Sequence, residues 1–258
     1  MSLARRSTET CALSWRRMPD ELILKAGEAH LLRVCLDLSP RRLSQLSEVL
    51  SSDERDRAAR FFSRRDESRF VARRGLLREL LGRYSQIPPG RLRFSYGPRG
   101  KPELARTADG RPLYFNLAHS NATAVIAVTC EGEVGIDFEL VRMIPDLADL
   151  VATVCSEREQ AEWQNLSCSQ RLPAFFDYWT RKEAFLKGLG EGLHKPPNEI
   201  EVSLRRSESG DSFCVFDRGC EVPAWSLRSL SAADYALALA LKISRGSAQI
   251  CCWDSRPE

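Results

Sequence analysis

The sequence predicts an α+β fold of two similar α/β lobes related by a pseudo-twofold axis, with the functional site at the lobe junction. Three observations point there. The first is an ungapped internal echo at an offset of 108 residues. It sets Leu81-Gly82, Pro88-Pro89 and Leu92-x-Phe94-Ser95 against Leu189-Gly190, Pro196-Pro197 and Ile200-x-Val202-Ser203, and it carries Gly135 through Leu140 onto Gly27 through Leu32. The second is the order of elements, since each half reads as a strand, helices, a helix ending in glycine, a Pro-Pro turn and more strands. The third is where the echo fails: Asp137, Glu139, Glu183 and Lys187 fall opposite Ala29, Leu31, Gly75 and Glu79. Since Asp137, Glu139 and Glu183 have no carboxylate counterpart in the first copy, one site is expected rather than two. On this reading residues 19–131 form an N-terminal lobe, 132–246 form a C-terminal lobe carrying the carboxylates, and 1–18 and 247–258 are tails.

Composition bounds the class. The 258 residues are 43% hydrophobic and 28% charged, which suits a folded chain of one large or two small domains. No apolar run reaches the length of a membrane span, and the first fifteen residues lack the apolar core of a secretory signal. Nine cysteines without a C-x-x-C pairing fit reduced thiols, so a cytoplasmic protein with no membrane partner is expected. A net charge of +3 argues against a dedicated nucleic-acid binder.

In chain order, Ala29–Leu38 alternates as a strand. Arg41–Leu50, Asp53–Phe62 and Asp66–Tyr84 follow as helices, the last with Phe70, Leu77, Leu80, Leu81 and Tyr84 at helical spacing. This region is dense in arginine. Most of it reads as a solvated face, and a few members as sites for phosphate or an acidic partner, whose oxyanions guanidinium matches bidentately. Leu92–Tyr96 is a short strand, and Gly97-Pro98-Arg99-Gly100-Lys101-Pro102 is a turn that presents two cations. Leu113–Ser120 and Thr123–Cys130 read as strands around a polar corner of Asn116, His119, Ser120 and Asn121.

Val134–Leu140 is a strand on which Asp137 and Glu139, two residues apart, share a face. Ser156-x-x-Glu159 is a capping box that opens a helix to Asn165. Leu172–Leu189 is the helix that organises the site. Phe175, Phe176, Trp179 and Leu186 mark its buried side, and Glu183 and Lys187 stand one turn apart at the edge of that stripe. Gly188, Gly190 and Gly192 end it. Glu199–Leu204, Phe213–Phe216, Ala224–Leu230 and Ala233–Lys242 complete the lobe as strands.

A D-x-E strand or a Glu-x-x-x-Lys pair taken alone is commonplace on a half-exposed surface. Together, Asp137, Glu139 and Glu183 form an oxygen-only set of the kind Mg²⁺ prefers, with Mn²⁺ as the other suitable ion. Lys187 and the cations near Arg65 and Lys101 supply charge for a phosphorylated substrate. The residues point to phosphoryl-group transfer. They also suit another Mg²⁺-dependent phosphodiester-processing enzyme, nuclease-like in chemistry, or a non-catalytic module that docks acidic proteins on its arginine-rich helices.

The motifs F-N-L-A-H-S (Phe115–Ser120), G-I-D-F-E (Gly135–Glu139) and W-T-R-K-E-A-F-L-K-G-x-G-x-G-L (Trp179–Leu193), with Gly100-Lys101-Pro102 before them, resemble those of the 4′-phosphopantetheinyl transferases. The likeness is to the larger, pseudo-dimeric, surfactin-synthetase-activator type, and it covers roughly residues 25–245. It implies that coenzyme A is the co-substrate and that its phosphopantetheine arm passes to a serine of an apo acyl or peptidyl carrier protein, releasing adenosine 3′,5′-bisphosphate. By motif position, Asp137, Glu139 and Glu183 would hold the metal, and Asp137, Glu183 and Lys187 would be catalytic. The same correspondence gives the coenzyme-binding set as Arg65, Arg99, Gly100, Lys101, Asn116, Leu117, Ala118, His119 and Lys187. The family often has Ser where Ala118 stands, which removes a hydroxyl contact here, and no coenzyme role carries over to Phe70. Because the duplication already supplies both lobes, a monomer is expected. Carriers of fatty-acid, polyketide, nonribosomal-peptide and lysine biosynthesis all stay open.

Overall fold

A computed structural model describes residues 14–104, 107–203, 213–242 and 248–255. The chain enters through β1 (Arg16–Arg17) and β2 (Glu28–Cys35), followed by the helices α1 (Pro40–Glu48), α2 (Ser52–Ala58) and α3 (Arg64–Ser85). Each helix begins behind an extended serine N-cap: Ser39, Ser51 or Ser63. β3 (Phe94–Tyr96) and β4 (Pro102–Leu104) pair around the basic turn, and the hairpin of β5 (Tyr114–Ser120) and β6 (Thr123–Thr129) returns beside β2. The second half opens with β7 (Val134–Leu140) and runs through α4 (Leu147–Val154), α5 (Glu157–Gln164) and α6 (Cys168–Leu189). It closes with β8 (Ile200–Val202), β9 (Val215–Asp217), β10 (Cys220–Glu221), β11 (Trp225–Ser229), β12 (Tyr235–Lys242) and β13 (Gln249–Ser255).

The duplication shows in the topology. One sheet contains the antiparallel run β2-β6-β5 and the other the antiparallel run β7-β12-β11. α3 and α6 are each 22 residues long, and each ends at a left-handed residue, Gln86 at φ 57° or Gly190 at φ 75°. A Pro-Pro turn that runs into a 3₁₀ turn follows each helix, at Pro89–Arg91 and Pro197–Glu199, and α6 has a further 3₁₀ turn before it at Gly192–His194. The helices lie 104 residues apart, from Arg64 to Cys168 and from Ser85 to Leu189. The ungapped echo of 108 therefore slips within them, and Gly82 sits inside α3 instead of ending it. A Cβ on Gly82 would come 2.9 Å from the Ile87 carbonyl oxygen, so its role is to let the helix pack on the turn that follows.

Alternation along the strands builds four layers. In β12, Leu237, Leu239 and Leu241 join Val134, Ile136 and Phe138 of β7 and Ala29, Leu31, Val125 and Ala127 of the first sheet in a core between the sheets. Ala236, Ala238 and Ala240 face the other way and share a core with Phe185 and Leu186 of α6, where their small side chains let the helix lie close. α3 covers the outer face of the first sheet, with Leu77, Leu80 and Leu81 against Leu32, Phe115, Ile126 and Val128. Because β7 sends residues 134, 136 and 138 into the central core, its alternate residues Gly135, Asp137 and Glu139 turn toward α6. Gly135 makes this approach sterically feasible, since a Cβ there would sit 1.9 Å from the Ala184 carbonyl oxygen and 2.3 Å from the Gly188 nitrogen.

The expected ends need correction. Residues 249–255, read as tail, form β13, which pairs in parallel with β2 along its length and carries β1 on its other side. The pairing covers a β2 edge whose N–H and C=O groups would otherwise be open, a requirement set by a distant strand and not by local pattern. Of the expected leader, Trp15 donates its indole N–H to Tyr235 at 3.3 Å. Residues 1–13, 247 and 256–258 and the strand end at Leu204 lie outside the described residues. α2 stops at Ala58, short of Phe62, and α6 starts earlier than expected, behind a capping box of Ser167 and Gln170. Among the described residues no helix is long and apolar enough to cross a membrane.

Candidate active site

The close approach of α6 to β7 sets the centre. Lys187, in the last turn of α6, donates to Asp137 Oδ1 at 2.5 Å. Asp137 is 4% exposed, and burial pushes its carboxyl up from the usual range, with Lys187 opposing. Glu183, one turn before Lys187, is also buried. Burial pushes it up to about 7, with Lys187 opposing the shift and Asp137 and Glu139 adding to it. Glu139 is more open. It accepts from Ser120 Oγ at 2.8 Å and stands 3.7 Å from the Arg142 guanidinium.

β5 lies along the free edge of β7 and stitches the lobes together. Asn116 Oδ1 accepts from the Ile136 N–H at 2.9 Å, and Ser120 Oγ accepts from the Leu140 N–H at 3.3 Å. Two side chains four residues apart thus satisfy two edge amides four residues apart. Of the expected coenzyme-binding residues on this strand, Asn116 has its carbonyl committed to the seam, Leu117 packs in the first-lobe core and Ala118 is buried between the sheets. Neither of the last two can offer more than main chain. His119 is exposed as a whole residue, with its ring partly desolvated. That desolvation first, then the charges of Arg73, Lys187 and Arg69, lowers it to about 4.

The cations of the basic turn are engaged. Lys101 donates to the Gly188 carbonyl at 2.8 Å and to Glu133 at 2.7 Å. Arg99 pairs with Glu191. Both reach the C-terminus of α6, where unpaired carbonyls attract positive charge. Gly100, at φ 83°, gives the turn its left-handed corner. Arg65 donates to Asn121 Oδ1 at 3.2 Å, and Arg69 shares that oxygen at 3.0 Å.

Among the described residues no set of three or more His, Cys, Asp or Glu side chains stands together as a ready metal site. The expected three-carboxylate cluster is therefore not preformed, because Glu139 is turned to Ser120 and Arg142 while Lys187 holds one oxygen of Asp137. Two oxygens are left over. Asp137 Oδ2 and Glu183 Oε1 are buried and accept no hydrogen bond. Buried acceptors are nearly always satisfied, so this pair fits a small hard cation. Mg²⁺ needs only one or two carboxylates when water and phosphate oxygens complete its shell.

Comparison with known proteins identifies the family. A family model described as 4′-phosphopantetheinyl transferase superfamily matches residues 133–240, and one described as 4′-phosphopantetheinyl transferase, N-terminal, matches residues 38–131. The 4′-phosphopantetheinyl transferase HetI of Nostoc sp. is 39% identical over 225 residues, covering 87% of this chain and 92% of its own. The chain belongs to the 4′-phosphopantetheinyl transferase family. The transferase Sfp of Bacillus subtilis is 25% identical over 169 residues, 66% of this transferase and 73% of its own length. A solved holo-(acyl-carrier-protein) synthase from Bacillus anthracis aligns with 42% of this transferase and 92% of its own chain, at TM-score 0.36 and 20% identity.

Two features of the transferase were missed in the sequence. Lys182, next to Glu183, is fully buried and ion-pairs with Glu159 at 2.5 Å while donating to three carbonyls. The capping box Ser156-x-x-Glu159 was the only available signal, and it does not say that Glu159 also meets a lysine. Arg69 and Arg73 of α3 lie close enough to His119 to depress its protonation, which the arginine-rich run did not distinguish from a solvated face.

Proposed function

We propose that this transferase moves the 4′-phosphopantetheine arm of coenzyme A to a serine hydroxyl of an apo acyl or peptidyl carrier protein, with Asp137, Glu183 and Lys187 at the reacting centre. The observation that carries the reading is the pair of buried, unpartnered oxygens, Asp137 Oδ2 and Glu183 Oε1, beside the Lys187 ammonium. Mg²⁺ bound by these two carboxylates would supply Lewis-acid charge to the pyrophosphate. Ser120 and Arg142 both engage Oε2 of Glu139, so Glu139 would join them through its other oxygen.

Glu183 would take the proton of the carrier serine, directly or through a water. The serine oxygen bonds to the phosphorus that carries the pantetheine arm, and the bond from that phosphorus to adenosine 3′,5′-bisphosphate breaks. Lys187 offsets the charge that develops on the leaving group. His119, neutral, contributes hydrogen bonding to the nucleotide end, together with Arg65 and the turn of Arg99, Gly100 and Lys101. Leu117 and Ala118 offer main chain.

The two lobes lie within one chain, which supports a monomer divided at the Glu131–Glu133 turn into lobes 19–131 and 132–246, with β1 and β13 added to the sheet of the first. The eight cysteines of the described residues are free thiols, which supports work in a reducing cytoplasm. The test is the intact mass of an apo carrier protein incubated with the enzyme, coenzyme A and Mg²⁺. A gain of one phosphopantetheine that EDTA prevents is expected. No gain on any of a panel of fatty-acid, polyketide and peptide carriers would overturn the reading, and Mn²⁺ in place of Mg²⁺ is compared in the same assay.

A further inference from the structure

Ser120 closes β5. It stands opposite Thr123 in the β5–β6 hairpin, next to Asn121, which takes a left-handed corner at φ 52°. The end of the hairpin meets the end of β7. There Ser120 Oγ accepts from the Leu140 N–H at 3.3 Å and donates to Glu139 Oε2 at 2.8 Å. A hydroxyl has one proton, and the Leu140 amide takes one of its lone pairs, so the direction of the bond is fixed: the proton goes to the carboxylate. Asn116, four residues earlier, satisfies the Ile136 amide in the same way. Ser120 differs in carrying the seam onward to a side chain of the candidate site.

The bond is Glu139's main restraint. Ser120 is buried, so water competes little for its hydroxyl. The other partner of Glu139 is Arg142 Nη1, at 3.7 Å and on a side chain 66% exposed, where an ion pair contributes little. Both partners act on Oε2, and Oε1 lies outside both contacts. Asp137 and Glu139 share a face of β7, and the charge of Glu139 is felt at both Asp137 and Glu183. Three carboxylates around one lysine repel one another, and without a cation the most open of them would turn to solvent. Asp137 and Glu183 are buried, which makes Glu139 the open one. Ser120 holds it at the seam. Carboxylates that ligate a metal are commonly oriented by such a hydrogen bond.

We propose that Ser120 is a positioning residue of the metal centre: by holding Glu139 Oε2 across the lobe seam it presets Glu139 as the third ligand beside Asp137 and Glu183, and so sets the affinity for the divalent cation. The inference rests on the metal-binding part of the function proposed above. It gives the first lobe a part in the metal centre that is neither a ligand nor a coenzyme contact.

The test is Mn²⁺ affinity, read by electron paramagnetic resonance on the full-length enzyme with and without one equivalent of coenzyme A. Ser120→Ala should weaken Mn²⁺ roughly tenfold. Ser120→Thr keeps the hydroxyl and should restore most of that loss. In a Glu139→Ala background Ser120→Ala should change the affinity no further, because the serine acts through Glu139, whereas independent effects would add. Thermal melts establish that each variant is folded at the temperature of titration. Ser120→Cys, close in size and only a weak donor, should also weaken Mn²⁺ and makes the same point if the alanine variant does not fold. Affinity that is unchanged or tighter in Ser120→Ala, or a full loss that persists without Glu139, would overturn the proposal. The outcomes separate the two readings. Mn²⁺ held equally by wild type and Ser120→Ala sinks this inference alone, whereas wild type that holds no Mn²⁺ with or without coenzyme A sinks the metal reading and this inference with it.

Discussion

Lys187 Nζ lies 2.5 Å from Asp137 Oδ1, joining the last turn of α6 to the middle of β7. Asp137 follows Gly135 by two residues and Lys187 lies between Ala184 and Gly188, the α6 residues that Gly135 meets, so the spacing of helix and strand sets the ion pair. Burial raises the Asp137 carboxyl, and Lys187 works against that shift, so the cation helps keep Asp137 ionised. It leaves the other Asp137 oxygen free of protein partners.

Lys187→Ala removes both the counter-ion of Asp137 and the charge beside the leaving group. Steady-state transfer to an apo carrier is expected to fall by about a hundredfold or more. Since the loss is of a group used in the reaction, kcat should fall more than the KM for coenzyme A rises. A variant with a wild-type kcat would remove Lys187 from the mechanism.

Glu183→Gln tests the buried carboxylate through stability as well as rate. Burial raises Glu183 to about 7 from its ordinary 4.5. In metal-free protein the folded state therefore holds this proton through a window where the unfolded chain has released it. Stability from this group is intact at and below pH 4.5 and is lost progressively as pH rises toward 7. Glu183→Gln cannot ionise and escapes the loss. In EDTA its Tm should exceed that of wild type at pH 8 and approach it at pH 5, while transfer is abolished at either pH. An equal Tm difference at both pH values would show that ionisation of Glu183 does not carry the cost.

Lys182 is the structural partner of this arrangement. Its ammonium donates to the carbonyls of Val154 at 3.0 Å, Pro197 at 3.0 Å and Ile200 at 2.6 Å, besides its pair with Glu159. Glu159 in turn accepts from the amides of Ser156 and Val202. Lys182→Met should cost about 3–5 kcal/mol in urea unfolding, because Glu159 is left buried without its cation. Adding Glu159→Gln should recover part of that. A single variant within about 0.5 kcal/mol of wild type would mean that the buried pair contributes nothing net.

What the sequence revealed follows from the range of each interaction. Val134–Leu140 is legible because one face of the strand is packed and its alternation is local. Glu183 and Lys187 are legible because a helix places residues four apart on one side. β13 is not legible, because its reason is the open edge of β2 more than two hundred residues earlier. Nor is the seam role of Asn116, whose partner is a backbone amide of another strand. Lys182 reads as one more polar residue in a charged helix until β8 and α5 fold over it. The slip between the 108-residue echo and the 104-residue helix spacing belongs here too: the Pro-Pro turns keep the 108-residue offset, and they sit outside the helices that carry the site.

Gly135→Ala tests the geometry that brings β7 and α6 together. The added Cβ would meet the Ala184 carbonyl oxygen at 1.9 Å and the Gly188 nitrogen at 2.3 Å, both main-chain atoms of α6, so relief requires the helix itself to move. That movement separates Lys187 from Asp137 and shifts Glu183. The variant should lose about 1–3 kcal/mol of stability and much of its transfer rate even at temperatures where it is fully folded. Gly132→Ala is the matched control. Its Cβ would meet the Lys242 carbonyl oxygen at 2.3 Å, a main-chain clash against β12 and not α6. It should lower Tm while keeping kcat per folded molecule near wild type. If both variants lose kcat in proportion to Tm, the closeness of α6 to β7 matters only for folding. If Gly135→Ala alone loses kcat beyond its loss of Tm, that closeness is what aligns the carboxylates with Lys187.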